Sequence, residues 1–166
     1  MLQPVVRRSW APEGHTPIHK SWDRHDRLSV ISAISLSPRR RRLGLHFAVH
    51  DHNIVHGDFE AFVAGLLGCL QRPVILVIDR WSVHRAGVKR LLLRFWRRLQ
   101  IEWLPPYAPE LNPDEQVWTR TKYVDLANFI PDDVVHLDRA VRRSLRRTQS
   151  QQHLLRSFFK HAKLKL

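Results

Sequence analysis

A chain of 166 residues with 43% apolar side chains can bury one hydrophobic core and is short for two domains. Lys and Arg outnumber Asp and Glu 28 to 15, a net charge of +13 that implies a polyanionic partner, nucleic acid first. A single cysteine, Cys69, excludes a disulfide framework and a cysteine-rich zinc module; no apolar run approaches the roughly 20 residues that span a bilayer, and Arg7-Arg8 lacks the apolar stretch of an export signal behind it.

Residues 1–27 read as loop, broken by Pro4, Pro12, Gly14 and Pro17, with a short extended piece over 5–10. A strand over 28–36, a turn over 39–42 and a strand over 43–49 form an antiparallel pair, since the connection is too short for a crossover. The turn residues Arg39, Arg40, Arg41 and Arg42 face water by default and are candidates for DNA phosphate contact. Phe59, Phe62, Val63, Leu66, Leu67 and Leu70 recur at helical spacing over 58–70 and mark a core-facing stripe. His46, His50, His52 and His56 invite a zinc reading, but their spacing fits no zinc motif and no thiolate accompanies them, so no metal is expected there.

The run Val74, Ile75, Leu76, Val77, Ile78 has no polar interruption, which predicts a central strand buried on both faces. Asp79 follows at its C-terminal end, where open α/β sheets keep their ligand sites. A helix over 86–96 turns Val88, Leu91, Leu92 and Phe95 inward and sets Lys89, Arg90, Arg94, Arg97 and Arg98 on the other side, a solvated face with Lys89 and Arg90 as candidate DNA contacts. Next come a strand over 101–104, ended by Pro105-Pro106, and a helix start at Asn112-Pro113-Asp114-Glu115 with Asn112 as N-cap. Glu115, Trp118 and Lys122 then share one helix face. A helix over 132–147 carries Val134, Leu137, Val141 and Leu145 inward and Arg139, Arg142, Arg143, Arg146 and Arg147 outward; a last one holds Leu154, Leu155, Phe158 and Phe159. No repeat and no helix-turn-helix is visible.

Two carboxylates, Asp79 at a strand end and Glu115 in a first helical turn, could together hold a hard cation such as Mg²⁺. Taken singly, each also has a structural reading: Asp79 caps a loop, and Glu115 closes a capping box with Asn112. The stretches VIDRWSVH and WLPPYAPELNPDEQVW, with Lys122 four residues past Trp118, closely resemble the second and third signature blocks of DDE transposases, in the mariner-like branch of bacterial insertion-sequence enzymes. RRSWAPEGHTP, RLSVISAISLSPRRRRLGLHF and LLRSFF are similar to that family too, so the likeness covers nearly the whole chain as one catalytic domain, 1–166.

The resemblance implies an α/β fold of ribonuclease H type, a mixed sheet flanked by helices on both faces. It implies Asp79 and Glu115 as catalytic metal ligands, with His84, Asn112 and Lys122 in support or on substrate phosphate. In the family, three carboxylates hold two divalent ions, Mg²⁺ or Mn²⁺, for phosphoryl transfer on DNA. The expected partner is double-stranded DNA, both element ends and target, handled by a homodimer at the cytoplasmic nucleoid, with no membrane and no small-molecule substrate. The family's first catalytic Asp lies on a strand ahead of the opening loop, and Met1 falls just past it. The chain is therefore expected to lack that central strand and to be inactive alone; Asp23 and Asp26, the nearest stand-ins, sit on the approach to the next strand. A non-catalytic, DNA-binding or dimerising remnant is the first alternative, and a basic RNA-binding protein the second.

Overall fold

Small and large apolar residues alternate across residues 28–50, and that alternation builds a two-faced hairpin. In the computed structural model, which describes residues 5, 7, 8, 10–15 and 27–166, β1 (Ser29–Leu36) pairs antiparallel with β2 (Leu43–His50), from Ser29↔His50 to Leu36↔Leu43. Because side chains alternate along a strand, Val30, Ile34, Leu45, Phe47 and Val49 share one face, and Ile31, Ala33 and Ala48 the other. The first face packs on helices α4 (Val134–Ser150) and α5 (Gln152–His161), where Leu137, Val141, Leu145 and Leu155 are fully enclosed. The second faces α1 (His56–Cys69) and α2 (Ser82–Phe95).

Strands β3 (Val74–Ile78) and β4 (Leu99–Trp103) run parallel, Val74 opposite Leu99, and are joined through α2. Leu76, Ile78 and Leu99 point into the cluster formed by Phe59, Val63, Leu66, Leu67, Val88 and Leu91. α1 and α2 approach closely at Gly87, where a Cβ would lie 2.8 Å from the Phe59 ring. Arg98 donates to the carbonyls of Leu67 (2.9 Å) and Leu70 (2.6 Å), closing the C-terminal end of α1.

Several expectations change. Among the described residues the strands form two separate two-stranded sheets, one antiparallel and one parallel, rather than one mixed sheet. β1 pairs only with β2 and β3 only with β4, so each keeps an unpaired edge among the described residues. β3 is not buried on both faces: Ile75 is 63% and Val77 55% exposed, because no helix among the described residues covers that side. An apolar run without polar residues reports what a strand tolerates, not what covers it. α2 starts at Ser82, four positions before the predicted start, and the last helices run to Ser150 and from Gln152. Arg98 belongs to the capping of α1 and not to a solvated basic face. Of the extended piece predicted over 5–10, Val5 forms a parallel bridge with Ala127, while residues 6 and 9 lie outside the described residues, as do Asp23 and Asp26.

Candidate functional site

Asp79 is the first residue past β3, and two donors fix one of its oxygens. The Trp81 amide donates to Oδ1 at 2.9 Å, and His84 Nδ1 lies 2.7 Å from the same atom. The His84 ring is held in turn by Phe59, 4.6 Å away between centroids, and by Trp81, edge-on at 5.3 Å. His84, on the first turn of α2, and the Trp81 amide thus both hold Asp79 through Oδ1.

Glu115 comes from the other half of the molecule, in the first turn of α3 (Asp114–Arg120). Asn112 is extended (φ −97°, ψ 103°), Pro113 already helical (φ −63°, ψ −20°), and Asn112 Oδ1 accepts the Asp114 amide at 3.1 Å, so Asn112 caps the helix as the sequence predicts. The Asn112 amide bonds to the Pro109 carbonyl at 3.0 Å, so Glu115 is not spent on a capping box. Burial raises the Glu115 carboxyl above its ordinary range, and the negative charge of Asp79 raises it further. Two carboxylates that repel in this way suit a divalent oxygen-seeking cation placed between them.

Asp114 anchors the same turn. Its Oδ2 accepts from Ser32 Oγ of β1 at 2.5 Å. Oδ1 is buried without a partner among the described residues. Desolvation pushes this carboxyl up to about 6, with the Glu115 charge adding to it and the Ser32 and Trp118 hydrogen bonds opposing it. Past Arg120 the helix widens into a π turn, Thr121–Asp125, closed by the Leu126 amide on the Thr121 carbonyl at 3.0 Å. Ser144 of α4 holds this turn, donating to Asp125 Oδ2 at 2.7 Å, with Thr121 Oγ1 at 3.2 Å.

A cleft of about 490 Å³ opens beside Glu115, walled by Ser29, Asn53, Ile54, Trp81, Trp118 and Lys122 among others. The shared face of Glu115, Trp118 and Lys122 is therefore realised, with the Lys122 ammonium 5.3 Å from the centre of the Tyr123 ring. The predicted basic contacts are not gathered here. Ser29 lines the cleft, whereas Arg39, Arg40, Arg41 and Arg42 occupy the far end of the hairpin, on the order of 25 Å away at the rise of a strand. Arg156 Nη2 donates to the Arg41 carbonyl at 2.6 Å, fastening that tip to α5. Arg90 pairs with Glu60 of α1 at 3.4 Å, and Lys89 is exposed on α2.

Sequence reasoning missed Ser32, Asp114 and Trp81. One signal was present for Ser32: it is the serine of β1 that falls on the large apolar face, beside Val30 and Ile34, and a polar group there needs a partner. Asp114 and Trp81 carried no such signal.

Residues 1–134 match the family model described as DDE superfamily endonuclease. No curated protein and no solved structure matches the chain.

Proposed function

Because the chain belongs to the DDE superfamily of endonucleases, we propose that it is the catalytic core of a transposase in the mariner-like branch of bacterial insertion-sequence enzymes. It acts on double-stranded DNA at element ends and target, in the cytoplasm at the nucleoid, as a homodimer. The observation that carries this reading is the approach of Asp79 and Glu115 from two halves of the fold, close enough for the charge of one to raise the pKa of the other. Together with capping that leaves the Glu115 carboxylate available, it favours a ligand pair over two structural acids.

Asp79 and Glu115 are the residues that would hold Mg²⁺ or Mn²⁺, two ions in the complete site, and such ions supply charge to activate an attacking oxygen and to stabilise the leaving one. Within this division of labour, His84 keeps Asp79 oriented by its bond to Oδ1. Asn112 fixes the helix start that presents Glu115, and Lys122 offers a cation to DNA phosphate at the cleft wall. Arg39, Arg40, Arg41 and Arg42, with Lys89 and Arg90, are the remaining candidates for backbone contact, outside the cleft.

The family's site uses three carboxylates; here Glu115 lines the cleft, the charge of Asp79 acts on it from the end of β3, and Asp114 is turned into the protein against Ser32. A third carboxylate, brought by a strand that pairs with the open edges of β1 and β3, completes the site in this reading. The alternative is a DNA-binding, dimerising protein that does not cleave, for which the net charge of +13 suffices without chemistry.

The test is nicking of supercoiled plasmid with Mn²⁺, comparing the 166-residue chain with one extended at its N-terminus to supply the third acid. Nicking by the extended chain, lost by about a thousandfold in Asp79→Ala and Glu115→Ala, supports the transposase core. Salt-sensitive DNA binding with no nicking in either chain supports the alternative.

A further inference from the structure

The four histidines between β2 and α1 part company in the fold. His46 turns to Ser35 Oγ (3.0 Å) and His56 to Glu60 Oε1 (3.3 Å), while His50 and His52 converge on Asp58 in the first turn of α1. His52 Nε2 lies 3.2 Å from Asp58 Oδ2, and His50 Nδ1 lies 3.9 Å from Asp58 Oδ1. All three ligand atoms fall within 4.8 Å of one another. Tetrahedral Zn²⁺, with bonds of about 2.0–2.1 Å, sets neighbouring ligand atoms roughly 3.3–3.4 Å apart, so a small inward shift of the exposed turn closes the set.

The surroundings of the two rings point the same way. Asp51 Oδ1 lies 3.1 Å from His52 Nδ1, so a second carboxylate stands behind the ring whose Nε2 meets Asp58. A carboxylate behind a histidine in this manner is the arrangement that orients a metal-bound imidazole. At His50 the gap of 3.9 Å is too long for a hydrogen bond, and Nε2 on the opposite side of the ring is buried without a partner among the described residues.

We infer that His50, His52 and Asp58 form a second metal site, for Zn²⁺ or a similar nitrogen-accepting divalent ion, distinct from the Asp79 and Glu115 pair. Two imidazoles and one carboxylate suit Zn²⁺ or Co²⁺ over Mg²⁺, which prefers oxygen alone. The site ties the last residue of β2 to the first turn of α1 across the turn that carries Asn53 and Ile54, two residues of the cleft wall. Its role is to hold that wall in place.

The experiment is calorimetric titration of the full chain with Zn²⁺ alone, in an Asp79→Asn, Glu115→Gln background that removes the other pair, followed by the visible spectrum with Co²⁺. One Zn²⁺ per chain, bound tighter than about 100 μM, is expected, with Co²⁺ bands of low coordination number and a rise in Tm on Zn²⁺ addition. His52→Gln should weaken binding at least about tenfold. Asp58 also accepts the Val55 amide at 2.9 Å, so Asp58→Asn is judged only if its circular dichroism matches the parent; His52 is exposed and decides the matter alone. No binding in that background, or unchanged affinity in His52→Gln, overturns the inference. Either outcome is independent of whether the chain cleaves DNA.

Discussion

The β1–β2 hairpin and the β3–β4 pair are equal in strand number and opposite in cover. The hairpin carries an apolar cluster on each face, with α4 and α5 on one side and α1 and α2 on the other. β3–β4 is covered on one face and leaves Ile75, Val77, Gln100 and Glu102 exposed on the other. Each half supplies one acid: Asp79 follows β3, and Glu115 rides on a helix latched to β1 through Asp114 and Ser32. The candidate site thus joins a well-enclosed half to an open one, so the two acids should respond differently to damage in the core.

The largest expected effect comes from the enclosed half. Leu137→Ala in α4, at 0% exposure and packed in the cluster beneath β1–β2, should cost about 2–5 kcal/mol in urea unfolding. Next is the seam of the other half. Gly87→Ala places a methyl 2.8 Å from the Phe59 ring, and Phe59 supports His84, so about 1–3 kcal/mol of stability should go together with weaker metal binding at Asp79. Calorimetry with Mn²⁺ against urea curves separates the two losses. If Gly87→Ala weakens unfolding alone, Phe59 packs against His84 without positioning it.

What the sequence made legible was local. Strand and helix types followed from periodicity, and the Asn112 side-chain bond to the Asp114 amide from the helix-start signature, although the return bond from Glu115 is not made. Asp79 and Glu115 were readable because each ends a pattern, an apolar run and a helix start. The missed features all join distant positions. Ser32 meets Asp114 across 82 positions, Arg98 caps a helix about 30 residues earlier, and Ser144 holds a π turn that no local propensity announces. The convergence of His50 and His52 on Asp58 was not legible either, because spacing among histidines alone overlooks an acid from the next helix. Cover was least legible of all: the run 74–78 is as apolar as a doubly buried strand requires, yet its alternate residues face outward.

The Asp114 latch separates the halves by pH. Its folded carboxyl titrates at about 6 against 3.8 when free, so between those values the folded protein binds more protons than the unfolded one. Stability contributed by this group is therefore present below pH 4, falls as pH rises through 6, and is absent above. Asp114→Asn removes the titration. Without divalent cations, the variant should be the more stable of the two at pH 8, by at most about 3 kcal/mol, with the difference shrinking or reversing at pH 4. Urea midpoints at the two pH values check it. A difference independent of pH would mean that the carboxyl is solvated and that Ser32 does not bury it.

The smallest expected effect tests the comparison itself. Val77 is 55% exposed on β3, so Val77→Thr, which keeps the β-branched shape and exchanges a methyl for a hydroxyl, should change stability by no more than about 0.5 kcal/mol. Its neighbour across the strand, Leu76, is 9% exposed, and Leu76→Ala on the inner face should cost several times more. If Val77→Thr instead costs about 2 kcal/mol, the hydroxyl is being buried without a partner. The outer face of β3–β4 would then be covered in solution, and the contrast between an enclosed hairpin and an open parallel pair would disappear. If the cost stays small, Asp79 hangs from a strand with solvent on one side, and its orientation rests on the bonds to His84 and the Trp81 amide more than on the packing of β3.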